Sequence, residues 1–553
     1  MAATSDSLTV DSETAREFGK MLVQDRKGRI EPVSTLSSEL IRKITRDNNF
    51  KGLSPDQVLL GMNVYPESWK TVPMIKISHP GIQDFFRTKE KHVSFYDCFD
   101  KEGHYRLADL VSEAYKKKPS ERNKFDTEII RTDERVNIVY MIYTHQYFNI
   151  FPKSNDPNHT WYAPMEVAGN FAGMDSLFAS NILHLYFEAV SKFPDEKAKK
   201  DADSFLESIH TYQEKYGSEV MPGATRLKIE TINNRLDIFN RLMKYYSLFG
   251  GLLLIIQFVS LFSKKFKPLL IEKLLIYLLL ASFILNTAGL ILRWYLSGHA
   301  PWSNGFESLT YIAWATVLAG ILFMKRSRIA LSSTSLLAAV ILSVAHLSWM
   351  DPEITNVVPV LNSYWLSIHV SVISASYGFF ALGALLGFLN LLLMFFRNEK
   401  NREALGATIQ QLSHIIEMTL ILGLFLLSIG TFLGGIWANE SWGRYWGWDP
   451  KETWALVTLL VYAFVAHMRF VPALKSMFIF NFAALISFSS VIMTYFGVNF
   501  YLSGLHSYGK GDPVPIPSWI YYTLFVLLAV SLLAYLNEQK MKKAASPPDK
   551  PLQ

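Results

Sequence analysis

Cysteine is nearly absent from this sequence: Cys98 is the single one in 553 residues. That excludes an internal disulfide, a CxxC redox pair, a cysteine-rich zinc site and a CxxCH haem-attachment site within the chain. Any redox metal must therefore be held by histidine or methionine. Charge is scarce as well, at 18% of residues, and it crowds into the region before residue 245 and the tail after residue 536. The stretch between is apolar, which excludes disordered, collagen-like and fully soluble chains. A net charge of +6 suggests nucleic acid at first sight. Much of the Lys and Arg, however, sits in short clusters between apolar runs, where membrane topology accounts for it and no nucleic-acid partner is expected.

What is present in abundance is long apolar sequence. Nine stretches of membrane-spanning length, each bounded by charge, Pro or Gly, fall at about 245–263, 269–292, 307–324, 330–349, 364–396, 414–436, 453–470, 476–497 and 518–536. They predict a polytopic α-helical membrane protein with about nine transmembrane helices. Basic residues collect in alternate loops: Lys264, Lys265 and Lys267; Lys325, Arg326 and Arg328; Arg397, Lys400 and Arg402; Arg469 and Lys475; Lys540, Lys542 and Lys543. Those loops and the tail at 537–553 are expected to face the cytoplasm. The opposite loops carry only Arg293, Arg444, Lys451 and Lys510 and are rich in Trp, Tyr, Gly and Pro. An odd number of helices then places residues 1–244 outside, although they start with a hydrophilic stretch and carry no signal peptide. The chain is expected to be the downstream part of a longer arrangement, or else to take its topology from the first helix.

Residues 1–244 read as a mainly helical extracytoplasmic domain. Leu22–Gln24 and Ile30–Pro32 flank a turn at Asp25–Gly28, and the best helical run is about Thr127–Phe151, carrying Ile130, Ile138, Met141 and Ile142 and ended by Pro152. His79, His92, His104, His145, His159, His184 and His210 lack metal-site spacing. No phosphate loop, nucleophile elbow or zinc motif is present in this part. A docking or scaffold role is the default.

The densest signal is the aromatic stretch at about 437–454, with Trp437, Trp442, Trp446, Trp448 and Trp454. An interfacial aromatic belt explains one or two of these rings. With glycines between them, Trp442, Trp446 and Trp448 are also expected to make a flat apolar floor suited to a planar ligand. Asp449, Pro450 and Glu452 fit a capping arrangement that starts helix seven. Arg444 and Lys451 suit either anionic groups of a ligand or the phosphate of membrane lipid.

The pattern Trp-Gly-x-x-Trp-x-Trp-Asp-x-Lys-Glu closely resembles the WWD signature of the haem-handling superfamily. Within that superfamily, Arg293–Ser308, Tyr364-Trp-Leu-Ser-Ile-His369-Val and Gly504-Leu-His506-Ser507-Tyr508 resemble the CcsA family, the System II cytochrome c biogenesis proteins. The likeness covers about 245–536, a transmembrane haem-handling module. Residues 1–244 resemble, with weaker motifs, the part that precedes this module in CcsB–CcsA fusion proteins. The resemblance implies an integral protein of the bacterial inner membrane that carries haem b to the extracytoplasmic face and promotes thioether attachment to the CxxCH motif of apocytochrome c. The protein would thus be a holocytochrome c synthase component working with a CcsB/ResB-like partner and an extracytoplasmic thiol reductant. His369 and His506 are implied ligands of external haem, and both flank the aromatic loop. His467, toward the cytoplasmic end of helix seven, is either a snorkelling residue or, by resemblance, an inner haem ligand paired with a histidine of the CcsB portion. A haem exporter or chaperone that delivers haem without forming the bond is the alternative, because relatives in another maturation system share the loop. His299, His346 and His414 are read as structural, although His299 lies in a family-like loop.

Overall fold

The computed structural model describes residues 9–47, 49–118, 121–263, 265–347, 350, 352–357, 361–502, 516 and 518–545, with side chains to residue 542. The chain divides into two compact units, Met1–Leu236 and Asp237–Gln553.

The first unit is helical, with three two-stranded antiparallel sheets among the described residues. Helix α1 (Ser12–Phe18) is capped by Asp11, whose side chain accepts from the Glu13 and Thr14 N–H groups. Strands β1 (Leu22–Gln24) and β2 (Ile30–Pro32) pair around the turn at Asp25–Gly28, where Asp25 Oδ1 accepts from the Lys27 and Arg29 N–H groups and Gly28 takes φ +83°. Helix α2 (Val33–Thr45) turns Leu36, Leu40, Ile41 and Ile44 into the core. Ser54, Pro55 and Gln57 form a capping box that starts α3 (Pro55–Val64). The run expected at Thr127–Phe151 is a helix only over Lys124–Tyr143. Thr144 ends it, His145 turns left-handed at φ +57°, and Phe151–Pro152 pairs as a strand with Trp161–Tyr162. The apolar residues after Tyr143 serve that strand and the core, so hydrophobicity outlasted the helix. Cys98 is buried, and burial pushes its thiol up to about 12, which leaves it protonated and unreactive at neutral pH.

One group in this unit makes a pH-dependent expectation. Burial raises the Asp56 carboxyl to about 6, offset in part by a hydrogen bond from Ser37 and by Arg235. Among the described residues its Oδ1 has no hydrogen-bond partner. A carboxyl whose folded pKa exceeds its unfolded one binds its proton more tightly in the fold. Stability from this group is therefore full below about pH 4, declines through about pH 6 and stays reduced above it, by roughly 3 kcal/mol at 1.36 kcal/mol per unit. Asp56→Asn is expected to slow hydrogen exchange of α1 to α3 at pH 7.5 and to have little effect at pH 4. Equal exchange in the two proteins at pH 7.5 would contradict this.

Among the described residues of the second unit, nine helices are long and apolar enough to cross a membrane. They are numbered here one to nine: Ile238–Phe262, Leu269–Ser297, Gly305–Phe323, Arg328–Ala345, Tyr364–Phe396, Arg402–Trp442, Pro450–His467, Met477–Tyr501 and Ser518–Ala545. The first begins at Ile238 rather than 245. The sixth runs well past the expected 414–436 at both ends, because its polar ends continue the helix without being apolar. The eighth contains a π-helical turn at Met493–Gly497.

Helix five is the best buried of the nine, and small residues let its neighbours approach it at backbone distance. A Cβ added at Gly378 would lie 2.8 Å from the Thr316 nitrogen of helix three, and one at Gly387 would lie 2.7 Å from the Asn481 carbonyl oxygen of helix eight. Toward its C-terminal end a fully buried polar knot ties helices five, six and eight together. Asn390 Nδ2 donates to Asn481 Oδ1 (2.7 Å) and Ser413 Oγ (3.1 Å), and Asn481 Nδ2 donates to Ser413 Oγ (3.0 Å). Such bonds hold membrane helices in register at about 0.6 kcal/mol each on average. Asn537 of helix nine donates to the Met394 and Arg397 carbonyls at the end of helix five, beside an Arg397–Glu538 ion pair. Helix five is thus anchored along its length, and it carries His369 near its other end.

Candidate functional site at the aromatic end of helices five to seven

His369 lies in the second turn of helix five. Its Nδ1 is 2.7 Å from the carbonyl oxygen of Gly430 on helix six. A carbonyl can only accept, so Nδ1 carries the proton and the lone pair of the neutral ring is on Nε2. The ring lies directly against Gly434: a Cβ there would come within 2.5 Å of His369 Cε1 and 2.7 Å of Nδ1. One residue further on, a Cβ at Gly435 would lie 3.2 Å from the Tyr445 carbonyl oxygen. The same turn of helix six therefore touches the imidazole on one side and the aromatic loop on the other.

The aromatic segment differs from the expected single loop over 437–454. Helix six continues to Trp442, so Trp437 and Trp442 are helical, and the connection to helix seven is only Gly443–Asp449. Trp437 is buried and meets the Trp442 ring at 4.8 Å and 65°. Trp446 and Trp448 stand at 5.8 Å and 89°. Neither pair is coplanar, so the arrangement is a set of edges and faces and not the flat floor expected from composition. Trp448 takes φ +56° and is 70% exposed, a costly conformation for a bulky residue that turns a large apolar ring outward. The Arg444 guanidinium lies over Gly447, in space that any side chain at 447 would fill.

Helix seven starts as its sequence requires. Asp449 caps it, accepting from the Lys451 N–H (3.0 Å), with Pro450 in the first turn. Glu452 reaches back to accept from the N–H groups of Asp449 (3.2 Å) and Gly447 (2.7 Å). Through this double use of Glu452 the cap also shapes the loop. Asp449→Ala is expected to cost about 1 kcal/mol at the helix start. Faster hydrogen exchange over 450–454 measures it, and unchanged exchange would contradict it.

A neighbouring loop closes against the same end of helix five. Trp302 Nε1 donates to the Ser367 carbonyl (3.0 Å), two residues from His369, and its ring meets Tyr311 at 4.9 Å and Trp294 at 5.7 Å. Below it, Arg293 of helix two and Glu307 of helix three form a buried ion pair at 2.7 Å. Arg293 also donates to the Pro352 and Glu353 carbonyls (both 2.8 Å), and Glu307 accepts from the Ser303 N–H and hydroxyl. The His299 ring sits between the Ala300 (3.1 Å) and Thr355 (3.0 Å) carbonyls, which makes it a loop tie.

His467 is at the opposite end of helix seven from Asp449, exposed, with Nδ1 2.7 Å from the Ala463 carbonyl of its own helix. Two residues on, Arg469 pairs with Glu417 of helix six, which lies 3.9 Å from His414. His506 falls outside the described residues. The structure thus joins His369 with Tyr445 and the loop through helix six, and sets His467 apart at the far end. Sequence reasoning missed Gly430 and Gly434, whose only signal was a Gly-x-x-x-Gly spacing in an apolar run. The Arg293–Glu307 pair was signalled by two charges near the ends of apolar segments. No group of three or more His, Cys, Asp or Glu side chains fit to hold a metal ion occurs among the described residues.

An aromatic loop beside an orientated imidazole, on a bundle whose described residues include nine helices long and apolar enough to cross a membrane, marks a class of integral membrane protein. The chain belongs to the cytochrome c assembly family: the family model for the cytochrome C assembly protein matches residues 302–506, a range that opens on Trp302 and closes on His506. CcsA of two Prochlorococcus marinus strains is 35% identical over 272 residues and 33% identical over 293, covering 42% and 46% of this chain and 82% and 87% of those proteins. Protein NrfI of Wolinella succinogenes is 42% identical over 530 residues, which is 95% of this chain. This chain spans 58% of the length of NrfI.

Proposed function

We propose that this protein acts in cytochrome c maturation by holding haem b at the outer face of a bacterial inner membrane and promoting its covalent attachment to the CxxCH motif of an apocytochrome c. The observation that carries the reading is the His369 imidazole: its Nδ1–H is fixed by the Gly430 carbonyl at a helix turn that also touches the aromatic loop. An imidazole tied in this way is the usual form of a metal-bound histidine. Membership in the cytochrome c assembly family supports the same reading.

Haem is the cargo, and the donor set suits it. His369 and His506 would each offer an imidazole nitrogen to the iron, while Trp442, Trp446 and Trp448 would pack against the macrocycle. Arg444 and Lys451 pair with the propionates, and Asp449 fixes the start of helix seven so that the loop is held in place. His467 serves an inner site completed by a histidine of a CcsB/ResB-like partner. Each thioether forms when a substrate thiol adds across a haem vinyl group: sulfur bonds one vinyl carbon, the thiol hydrogen goes to the other, and nothing leaves. The chain needs no nucleophile of its own, in keeping with its single buried thiol. An external thiol reductant keeps the substrate cysteines free. The alternating basic loops support placing the Met1–Leu236 unit and the aromatic loop outside, with the tail after residue 536 in the cytoplasm.

The test is haem content and the reduced visible spectrum of the detergent-purified protein, coexpressed with its partner. A low-spin bis-histidine spectrum is expected, disturbed by His506→Ala, with poor loading in His467→Ala. An intact, partnered complex without haem would overturn the proposal.

A further inference from the structure

Gly430 and Gly434 sit one turn apart on helix six and make a recess that takes two consecutive turns of helix five. Ile373 lies against Gly430, where a Cβ would come within 2.7 Å of Ile373 Cδ1 and 3.2 Å of the Ile373 backbone nitrogen. His369 lies against Gly434, where a Cβ would come within 2.5 Å of the ring. No side chain larger than hydrogen fits at 434 with the imidazole in place. In the same recess the Gly430 carbonyl, which has two lone pairs, takes the Nδ1–H of His369 at 2.7 Å. One glycine supplies the acceptor and the other the space that lets the ring reach it.

We infer that Gly434 is a positioning residue acting together with the Gly430 carbonyl: the recess fixes His369 as the Nδ1–H tautomer and sets the ring plane, so that Nε2 is the ligating atom. The inference rests on the reading of His369 as a haem ligand. A solvated imidazole exchanges tautomers and rotates about its ring bond, and both freedoms must be lost before a metal is held with defined geometry. A hydrogen bond on the remote nitrogen also raises ligand basicity, and losing such a partner typically costs about 10–100-fold in metal affinity. The Gly-x-x-x-Gly spacing by itself would serve only close helix packing. The contact of Gly434 with the imidazole ring assigns it a second task.

Gly406 of the same helix provides an internal control, since it has the same helix propensity but a Cβ there meets no described atom within 4 Å. Gly434→Ala is expected to lower haem retention about 10–100-fold and to alter the low-spin spectrum and raise the haem potential, while Gly406→Ala keeps the parent spectrum. In a His369→Gly background, with ligation restored by added imidazole, Gly434→Ala is expected to add nothing. Solid-state ¹⁵N spectra of the haem-free protein give a readout independent of cargo: His369 should be in the Nδ1–H form in the parent and mixed in Gly434→Ala. A parent His369 in the Nε2–H form would overturn the inference even if every variant failed to fold. So would a Gly434→Ala protein with the parent's spectrum and potential, or a loss of equal size with and without His369, which would reduce Gly434 to helix packing. Haem absent from a parent whose His369 keeps the Nδ1–H form would count against the haem reading and leave the positioning intact.

Discussion

Replacing His369 with alanine is expected to strip haem from the outer site, with a loss exceeding the roughly 10–100-fold that removal of an outer-shell partner costs. The reason is geometric. Helix five is held by a polar knot and by the Asn537 cap toward its C-terminal end and by close backbone contacts through its middle, so the helix does not shift to bring another of its own side chains into the place of the ring. Among the described residues, two other histidines of that part of the bundle are tied to backbone carbonyls. His299 spans two loop carbonyls, and His346 gives its Nδ1 to the Leu342 carbonyl of its own helix at 2.7 Å. Haem content and the reduced spectrum of His369→Ala measure the effect, with His346→Ala as the matched control expected to retain the parent spectrum. Equal haem in both variants would remove His369 from the site.

The second large effect belongs to the Arg293–Glu307 pair. The two side chains are 7% and 0% exposed, and they join helices two and three to the 352–353 segment. Removing one partner leaves a buried charge without its counter-ion, a loss typically of about 3–5 kcal/mol. Arg293→Met leaves the Glu307 carboxylate, among the described residues, with the Ser303 donors and frees two backbone carbonyls. The double variant Arg293→Met/Glu307→Met is expected to be more stable than either single, because the desolvation cost vanishes with both charges. Thermal denaturation of the four proteins in detergent closes the cycle. Single variants as stable as the parent would show that the pair contributes nothing.

Much of this was legible in the sequence, for identifiable reasons. The nine apolar runs announced the bundle because a bilayer demands about twenty apolar residues per helix and tolerates little else. The helix-seven start at Asp449-Pro450-Lys451-Glu452 was legible because a cap, a first-turn Pro and a third-position Glu are local chemistry. The ends of helix six were not: Glu403, Asn439 and Glu440 are helical but lie where hydropathy has faded, and Gly434-Gly435, just inside the expected end at 436, gave no sign of what they touch. That pair closes onto His369 and the loop. The two-residue strands at Ile75–Lys76 and His92–Val93 carry too short a period to register. Ring orientation was likewise beyond composition, since five tryptophans fix an amount of aromatic surface but not the angle between any two rings.

Thioether formation itself tests the account most directly. The purified protein, with its coexpressed partner and its bound haem, would be mixed under reducing, anaerobic conditions with an apocytochrome bearing one CxxCH motif, and the product extracted with acidified solvent. The account predicts haem that stays on the acceptor through extraction and adds one haem mass to the CxxCH peptide. Haem that leaves the protein but extracts from the acceptor unmodified would contradict the synthase reading and establish delivery without bond formation.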